Sequence, residues 1–431
     1  MSLLQDILER WVGRDDPFLI SPVGELHVQD LSLRDLGHLD DIGRGDVVAL
    51  IGDLNAISIA NFLSLVDRGT VVVPLVRETV SSHEYCFDSA LVDWIVHDRQ
   101  AVKRTHRDEN SLLSGLRRQG NPGLVLFTTG TTGRPKAILH DMSHFLRRYR
   151  TPRPALRTLG FLQFDHIGGI NTLLHTIFNL GTIVSPRSRA ISDVLEAIAS
   201  HEVQVLPTTP TFLRLMLLSD CIPTLIPKSL EVITYGTERM DSSTLQIIAD
   251  LLPDIDLRQT YGMSELGILR VKSKSRDSLF MKVGGEGVET RVVDDVLEIR
   301  SDSRMVGYLN ADDPFSADGW YRTGDVVETS GEYLKMIGRV GDVINVGGLK
   351  FMASDVERVI MEIPSVEFVK VTAKENPITG QHVEADIQLQ SSSELDESSL
   401  RDLLRLRLPK HMMPRRLVIK SLDFSHRHKR L

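Results

Sequence analysis

The chain has 431 residues, of which 42% are hydrophobic and 25% charged, and its net charge is −8. That length is too great for one hydrophobic core and sets an expectation of two or three folding units. The acidic balance excludes a general attraction to nucleic acid or anionic lipid, and two distant cysteines, Cys86 and Cys221, exclude a disulfide framework or a thiolate zinc site.

In chain order, the opening "MSLLQDILERWVG" lacks the basic and apolar regions of a secretory signal. Leu4, Ile7, Leu8 and Trp11 recur at helical spacing, which predicts a surface helix docked on the core. No window reaches about 18 uninterrupted apolar residues, so no bilayer span is expected. Together with the sparse cysteines, this reads as a soluble cytoplasmic protein. "GDVVALIG" (45–52) predicts a buried strand, "AISIANFLSLVDRG" a helix and "TVVVPL" another strand. "LVDWIVHD", "GLVLFTTG", "RTLGFLQF", "GTIVSP", "VQVLPTT" and "LEVITYG" repeat the pattern, with helices at 191–201 and 241–252. Continuous Val/Ile/Leu strands divided by helices imply sheets covered on both faces.

After about residue 284 the pattern changes. "ETRVVDDVLEIRS" and "GEYLKMIGR" predict antiparallel strands, a small β-rich subdomain. Beyond 338–342 come a glycine bend, helices at 353–362 and 396–407, and strands at 365–373 and 382–390. The fold class is therefore α/β, with a large domain over 1–338 and a small α+β cap over 339–431. From residue 401 onward ten basic residues face two acidic ones, which suits an anionic partner.

"FTTGTTGRPK" (127–136) follows a buried strand, where α/β folds place ligands. Gly130 and Gly133 let backbone amides approach a ligand, Thr128, Thr129, Thr131 and Thr132 offer hydroxyls, and Lys136 adds a point charge. Such a strip suits a polyphosphate, although it is not a Walker sequence. "QTYGMSELG" (259–267) supplies an aromatic ring at Tyr261 and a carboxylate at Glu265, an oxygen ligand of the kind Mg²⁺ prefers. "WYRTGDVV" and "IGRVGDVINVGGLKF" supply Asp325 and Arg339, suited to holding a ribose diol.

In this order and spacing the segments resemble the adenylate-forming superfamily of acyl- and aryl-CoA synthetases, peptide-synthetase adenylation domains and luciferase, from about residue 45 to the end of the sequence. "FTTGTTGRPKA" is similar to the family's phosphate loop, with Ala137 where Gly is usual. "YGTE", with Gly236, Thr237 and Glu238, resembles the adenine-contacting strand end. "YGMSE" resembles the Tyr-Gly-x-Thr-Glu box through Tyr261, Gly262, Met263, Ser264 and Glu265. "YRTGD" and "GRVGDVINVGG" match the ribose and hinge segments.

The resemblance implies activation of a small carboxylic acid by ATP and Mg²⁺ to an acyl-adenylate. A thiol of CoA or of a carrier protein's phosphopantetheine then takes the acyl group. It implies a mobile small domain pivoting near Gly341. It also implies a catalytic lysine near the C-terminus. Aligning Leu422 and Ser425 with the family's Leu-Pro-x-Thr-x-x-Gly-Lys ending selects Lys429, with Asp423 for Pro and His428 for Gly, and Lys420 is the second candidate. "FDHIGGINTLL" (164–174) resembles the Phe-His-x-x-Gly stretch of CoA synthetases, which puts His166 beside the substrate carboxylate, with Met263 adding apolar surface to the acyl pocket. Phe164-Asp165 also matches the peptide-synthetase register, in which Asp165 would bind an amino group. A nucleotide-binding protein without catalysis is the third reading. Segments 98–121 and 268–290 are shorter than the family usually has.

Overall fold

The computed structural model describes residues 3–33, 36–104, 109–128, 134–219, 226–390 and 393–422. Two seven-stranded sheets form the body. In the first, the apolar runs Val47–Ile51, Val71–Leu75, Trp94–His97 and Gly123–Phe127 pair in parallel. At the edges Gln100–Lys103 and Ala137–Asp141 run antiparallel to them, and Gly307–Tyr308 pairs antiparallel with Ala137–Asp141. In the second sheet, the strands Asp256–Gln259, Val232–Tyr235, Val205–Thr208, Arg157–Leu159, Thr182–Val184 and Leu19–Ser21 are all parallel, with Gly24–Leu26 closing an antiparallel edge.

One apolar core joins the two sheets. Ile59, Phe62 and Val66 of helix Ala56–Asp67, and Ile170, Leu173, Leu174 and Ile177 of helix Ile167–Phe178, are buried within it. Capping fixes where these helices begin. The Asn55 side chain accepts from the amides of Ile57 and Ser58, and the His166 ring accepts from Gly168. The N-terminal helix Leu3–Arg10 docks as its spacing predicts: Ile7 and Trp11 are buried, and the Trp11 indole donates to the Ile177 carbonyl at 2.8 Å.

A six-stranded antiparallel sheet follows, containing the hairpin Val288–Val293/Val296–Ser301 and the pair Tyr321–Ser330/Tyr333–Arg339. The last sheet has five strands and its own core around Val356, Ile360, Val369, Ile387 and Leu404. It begins at Val343, after the turn Val340–Asp342 that contains Gly341. The strand Arg416–Ile419 pairs there in parallel with Gly380–Leu389. The small domain is held to the body by an arginine that reaches main-chain oxygens: Arg214 donates to the carbonyls of Glu367 at 2.7 Å and Val366 at 3.2 Å. Arg239 braces the antiparallel sheet through the Ile337 carbonyl at 3.1 Å.

Candidate active site

The Thr/Gly loop leaves strand Gly123–Phe127 and returns into strand Ala137–Asp141, with Phe127 opposite Ala137. Among the described residues no helix starts there, and the groups the sequence offers an anion are amides, hydroxyls and Lys136. Thr129, Gly130, Thr131, Thr132 and Gly133 lie outside the described residues, as does Lys429. The ends of the loop are fastened. The Thr128 amide donates to the Lys136 carbonyl, and the Lys136 amide donates to the Thr128 hydroxyl, both at 3.1 Å. Asn310 accepts from the Ala137 amide at 2.8 Å and donates to the Pro135 carbonyl at 3.1 Å.

The Lys136 ammonium sits 4.7 Å from the ring centre of Tyr308. The Tyr308 hydroxyl donates to Glu265 Oε1 at 2.8 Å, and Tyr321 lies within electrostatic reach of both Tyr308 and Glu265. Burial, followed by the Glu265 charge, pushes both phenols above their ordinary pKa, so they stay protonated as donors. Beside them, Tyr261 donates to Asp325 Oδ2 at 2.6 Å, and Arg339 Nε donates to Asp325 Oδ1 at 3.0 Å. Asp325 and Arg339 are direct cross-strand partners, so the ion pair is built into the sheet register. The Arg339 charge also reaches Tyr321, which links the two groups into one network. Tyr308 gave no signal in the sequence; only the pairing of Gly307–Tyr308 with Ile138–Leu139 brings it to Lys136.

The turn carrying Glu265 is anchored from below. His140 is buried, and its Nε2–H donates to the Ser264 carbonyl at 2.6 Å. Burial lowers its pKa to about 4 against the ordinary 6.5, with the Ser264 bond offsetting only part of the shift. The unfolded chain therefore binds a proton between pH 6.5 and 4 that the folded chain refuses. This stabilisation is complete above pH 6.5 and is lost as pH falls. We expect unfolding free energy to drop by roughly 2 kcal/mol more between pH 7 and pH 5 in the wild type than in His140→Gln. Denaturant titrations at the two pH values check this, and parallel pH profiles would remove His140 as the cause.

At the end of strand Val232–Tyr235, Gly236 lies so close to Thr260 that a Cβ would be 2.1 Å from its hydroxyl. Thr237 follows with a left-handed φ of 69°. Glu238 turns away to helix Pro210–Leu218, where Oε2 accepts from the Thr211 amide at 3.2 Å and hydroxyl at 2.7 Å. Gly262 and Met263 pair with Ile268 and Gly267, and Met263 packs with Tyr261 on the core of the antiparallel sheet rather than lining an acyl pocket.

His166 Nδ1 accepts from the Gly168 amide at 3.0 Å, so the neutral ring carries its proton on Nε2. His166, Leu162, Arg189, Thr209 and Thr237 line a small recess. Leu162 and Thr237 also line the entrance to a larger channel of about 240 Å³ between helix Ile167–Phe178 and the second sheet. The helix turns Gly168, Asn171, Thr172, His175, Thr176 and Asn179 towards it, at steps of three and four residues. That polar stripe on an apolar helix was readable in the sequence and marks the channel face. Asp165 is buried but is not among the channel residues.

Residues 116–321 match the family model described as AMP-binding enzyme. Nearly half of the chain thus carries the sequence pattern of AMP-binding enzymes. It is similar to the 2-succinylbenzoate–CoA ligase of Bacillus velezensis, 26% identical over 321 residues that make up 67% of this chain and 63% of that protein. It is also similar to a long-chain-fatty-acid–CoA ligase of Mycobacterium tuberculosis, 25% identical over 361 residues, 76% of this chain and 69% of that protein. The chain thus spans less than two thirds of the first relative's length. Among solved structures, the chain resembles o-succinylbenzoate CoA synthetase from Bacillus subtilis in complex with its acyl-adenylate intermediate, with a TM-score of 0.76 at 18% identity, covering 99% of this chain and 96% of that one. ATP-bound MatB from Rhodopseudomonas palustris gives a TM-score of 0.79 at 18% identity, covering 99% and 97%. Among the described residues, no helix is long and apolar enough to cross a membrane.

Proposed function

We propose that the chain is an acid–thiol ligase that activates a carboxylic acid with ATP and passes the acyl group to a thiol, releasing pyrophosphate and then AMP. The observation that carries this reading is the gathering of the Lys136–Tyr308–Glu265 and Tyr261–Asp325–Arg339 groups next along the chain to Thr260, which with Thr237 lines a channel. The phosphates would meet the Thr/Gly loop and Lys136, the ribose diol Asp325 and Arg339, and the adenine Gly236 and Thr237. The acid would enter the channel with its carboxylate towards His166 Nε2.

A carboxylate oxygen then attacks the α-phosphorus in line. The P–O bond to pyrophosphate breaks, and a mixed anhydride with AMP remains. A thiolate next attacks the acyl carbon and AMP departs. Neither step needs a covalent protein intermediate, so positioning and charge neutralisation carry the catalysis. Among the described residues no cluster of three or more His, Cys, Asp or Glu could hold a metal alone. The donor set present, the Glu265 carboxylate with nearby hydroxyls, fits a hard ion that arrives on the nucleotide's phosphates. Mg²⁺ bound there would neutralise phosphate charge. Lys429 is the cation proposed to reach the α-phosphate, whereas Lys420 pairs with Asp386 at 2.9 Å.

The acceptor proposed is CoA, with carrier-protein phosphopantetheine as the second choice, and Gly341 is the proposed pivot between the half-reactions. Gly341 is exposed, and an added Cβ would meet nothing within 4 Å, so no contact there resists rotation. Amino-acid activation is disfavoured because no carboxylate lines the channel among the described residues. Hydroxylamine trapping of adenylates across a panel of carboxylic and amino acids, with and without CoA, tests the proposal. Thiol-dependent AMP release with carboxylic acids is expected. Nucleotide binding with no adenylate from any acid would leave a non-catalytic binding protein.

A further inference from the structure

The channel walls differ from a simple apolar tunnel. Opposite the polar helix stripe, the sheet contributes Thr158, Thr208, Thr234, Thr237 and Thr260. Thr172 satisfies its hydroxyl by donating to the Gly168 carbonyl at 2.9 Å. Thr176, one helical turn further on, does not do the same. Its Oγ1 and that of Thr208 are buried without a hydrogen-bond partner among the described residues, at 3% and 2% residue exposure. Buried hydroxyls are normally paired, so each marks a place where a ligand atom belongs.

The two hydroxyls lie at different depths. Thr208 ends its strand beside Thr209, near the mouth, whereas Thr176 sits deep, with its methyl 3.0 Å from a Cβ built on Gly181. From Gly168 to Asn179 the helix rises about 16 Å, which sets the length of the channel. An apolar cavity of about 150 Å³ holds benzene, so 240 Å³ suits an acid of about ten non-hydrogen atoms. Among the described lining residues there is no carboxylate and no Phe, Tyr or Trp ring.

We propose that the acid is an oxygenated one, bearing a hydroxyl, carbonyl or second carboxyl oxygen along its tail that hydrogen-bonds Thr208 or Thr176, and not a plain alkanoate. This rests on the channel being the acyl site of the proposed ligase. A plain chain would leave both hydroxyls buried and unpaired. An oxygenated chain satisfies them, and a site built to hydrogen-bond its substrate rejects the analogue lacking that group.

The test compares octanoate, 4-oxooctanoate, 8-hydroxyoctanoate and octanedioate by pyrophosphate release, with calorimetric binding to the nucleotide-free protein as a second readout. The oxygenated acids are expected to exceed octanoate at least tenfold in kcat/KM. The neutral and dianionic members distinguish a hydroxyl or carbonyl from a second carboxylate. At least one of Thr176→Val and Thr208→Val, both nearly isosteric, should shrink the ratio at least fivefold. Equal turnover of all four acids, or a ratio untouched by both substitutions, would overturn the inference and leave the ligase reading intact. Absence of pyrophosphate release with every acid counts against the ligase reading instead. Calorimetry then decides: tighter binding of oxygenated acids supports the inference, and equal or absent binding overturns it.

Discussion

Lys429→Ala is expected to lower acid-dependent ATP–pyrophosphate exchange by about 100-fold or more, the scale associated with losing one preorganised charge contact to a developing anion. The argument is one of differential binding. Charge gathers on the α-phosphate as the carboxylate attacks, so a cation placed there stabilises the transition state more than the bound substrates. The body of the protein already contains Lys136 and Arg339, but Lys136 stands at the end of the phosphate loop over the Tyr308 ring and Arg339 is paired with Asp325 at the proposed ribose site. Lys420, the other candidate near the C-terminus, is held by Asp386. Melting behaviour should be unchanged, because the small domain's core is formed before residue 418. Thioester formation from a supplied acyl-adenylate should suffer much less. Exchange at the wild-type rate in the variant would end the assignment of Lys429.

Glu265→Gln is expected to cut adenylation by about 100-fold to 1000-fold and to raise the magnesium concentration needed for half-maximal rate. Glutamine preserves the side-chain volume and an acceptor oxygen for the Tyr308 hydroxyl, so the turn should keep its shape. What disappears is the negative charge that a hard cation on the nucleotide would seek. Tyr308→Phe provides the contrast. It removes one donor to Glu265 and leaves the ring under Lys136, and it should cost only about tenfold. A magnesium titration of both variants separates the roles. An unshifted magnesium dependence in Glu265→Gln would argue that this carboxylate only orders the turn.

The sequence discloses some of this architecture well and some not at all, for reasons visible in particular residues. Strands such as Val47–Ile51 and Val232–Tyr235 are legible because they are buried on both faces and read as unbroken apolar runs. The antiparallel return Ala137–Asp141 is not, since its partner is chosen by a hairpin whose loop carries no standard turn signature. Asp325 and Arg339 were recognisable as a pair of chemical types, and cross-strand register joins them. Glu238 reads, beside Gly236 and Thr237, as part of a nucleotide contact, and no local pattern shows that its carboxylate also accepts from Thr211 at the start of helix Pro210–Leu218. Tyr308 depends on pairing across about 170 residues, which no local pattern encodes.

The small domain is gripped through its main chain. Arg214 binds the carbonyl oxygens of Val366 and Glu367, and such oxygens are the same whatever side chains the residues bear. Substitutions along that face can therefore accumulate with little effect on docking. The burden of inheritance falls on one arginine codon in the body, and the docked face of the cap is left free to diversify.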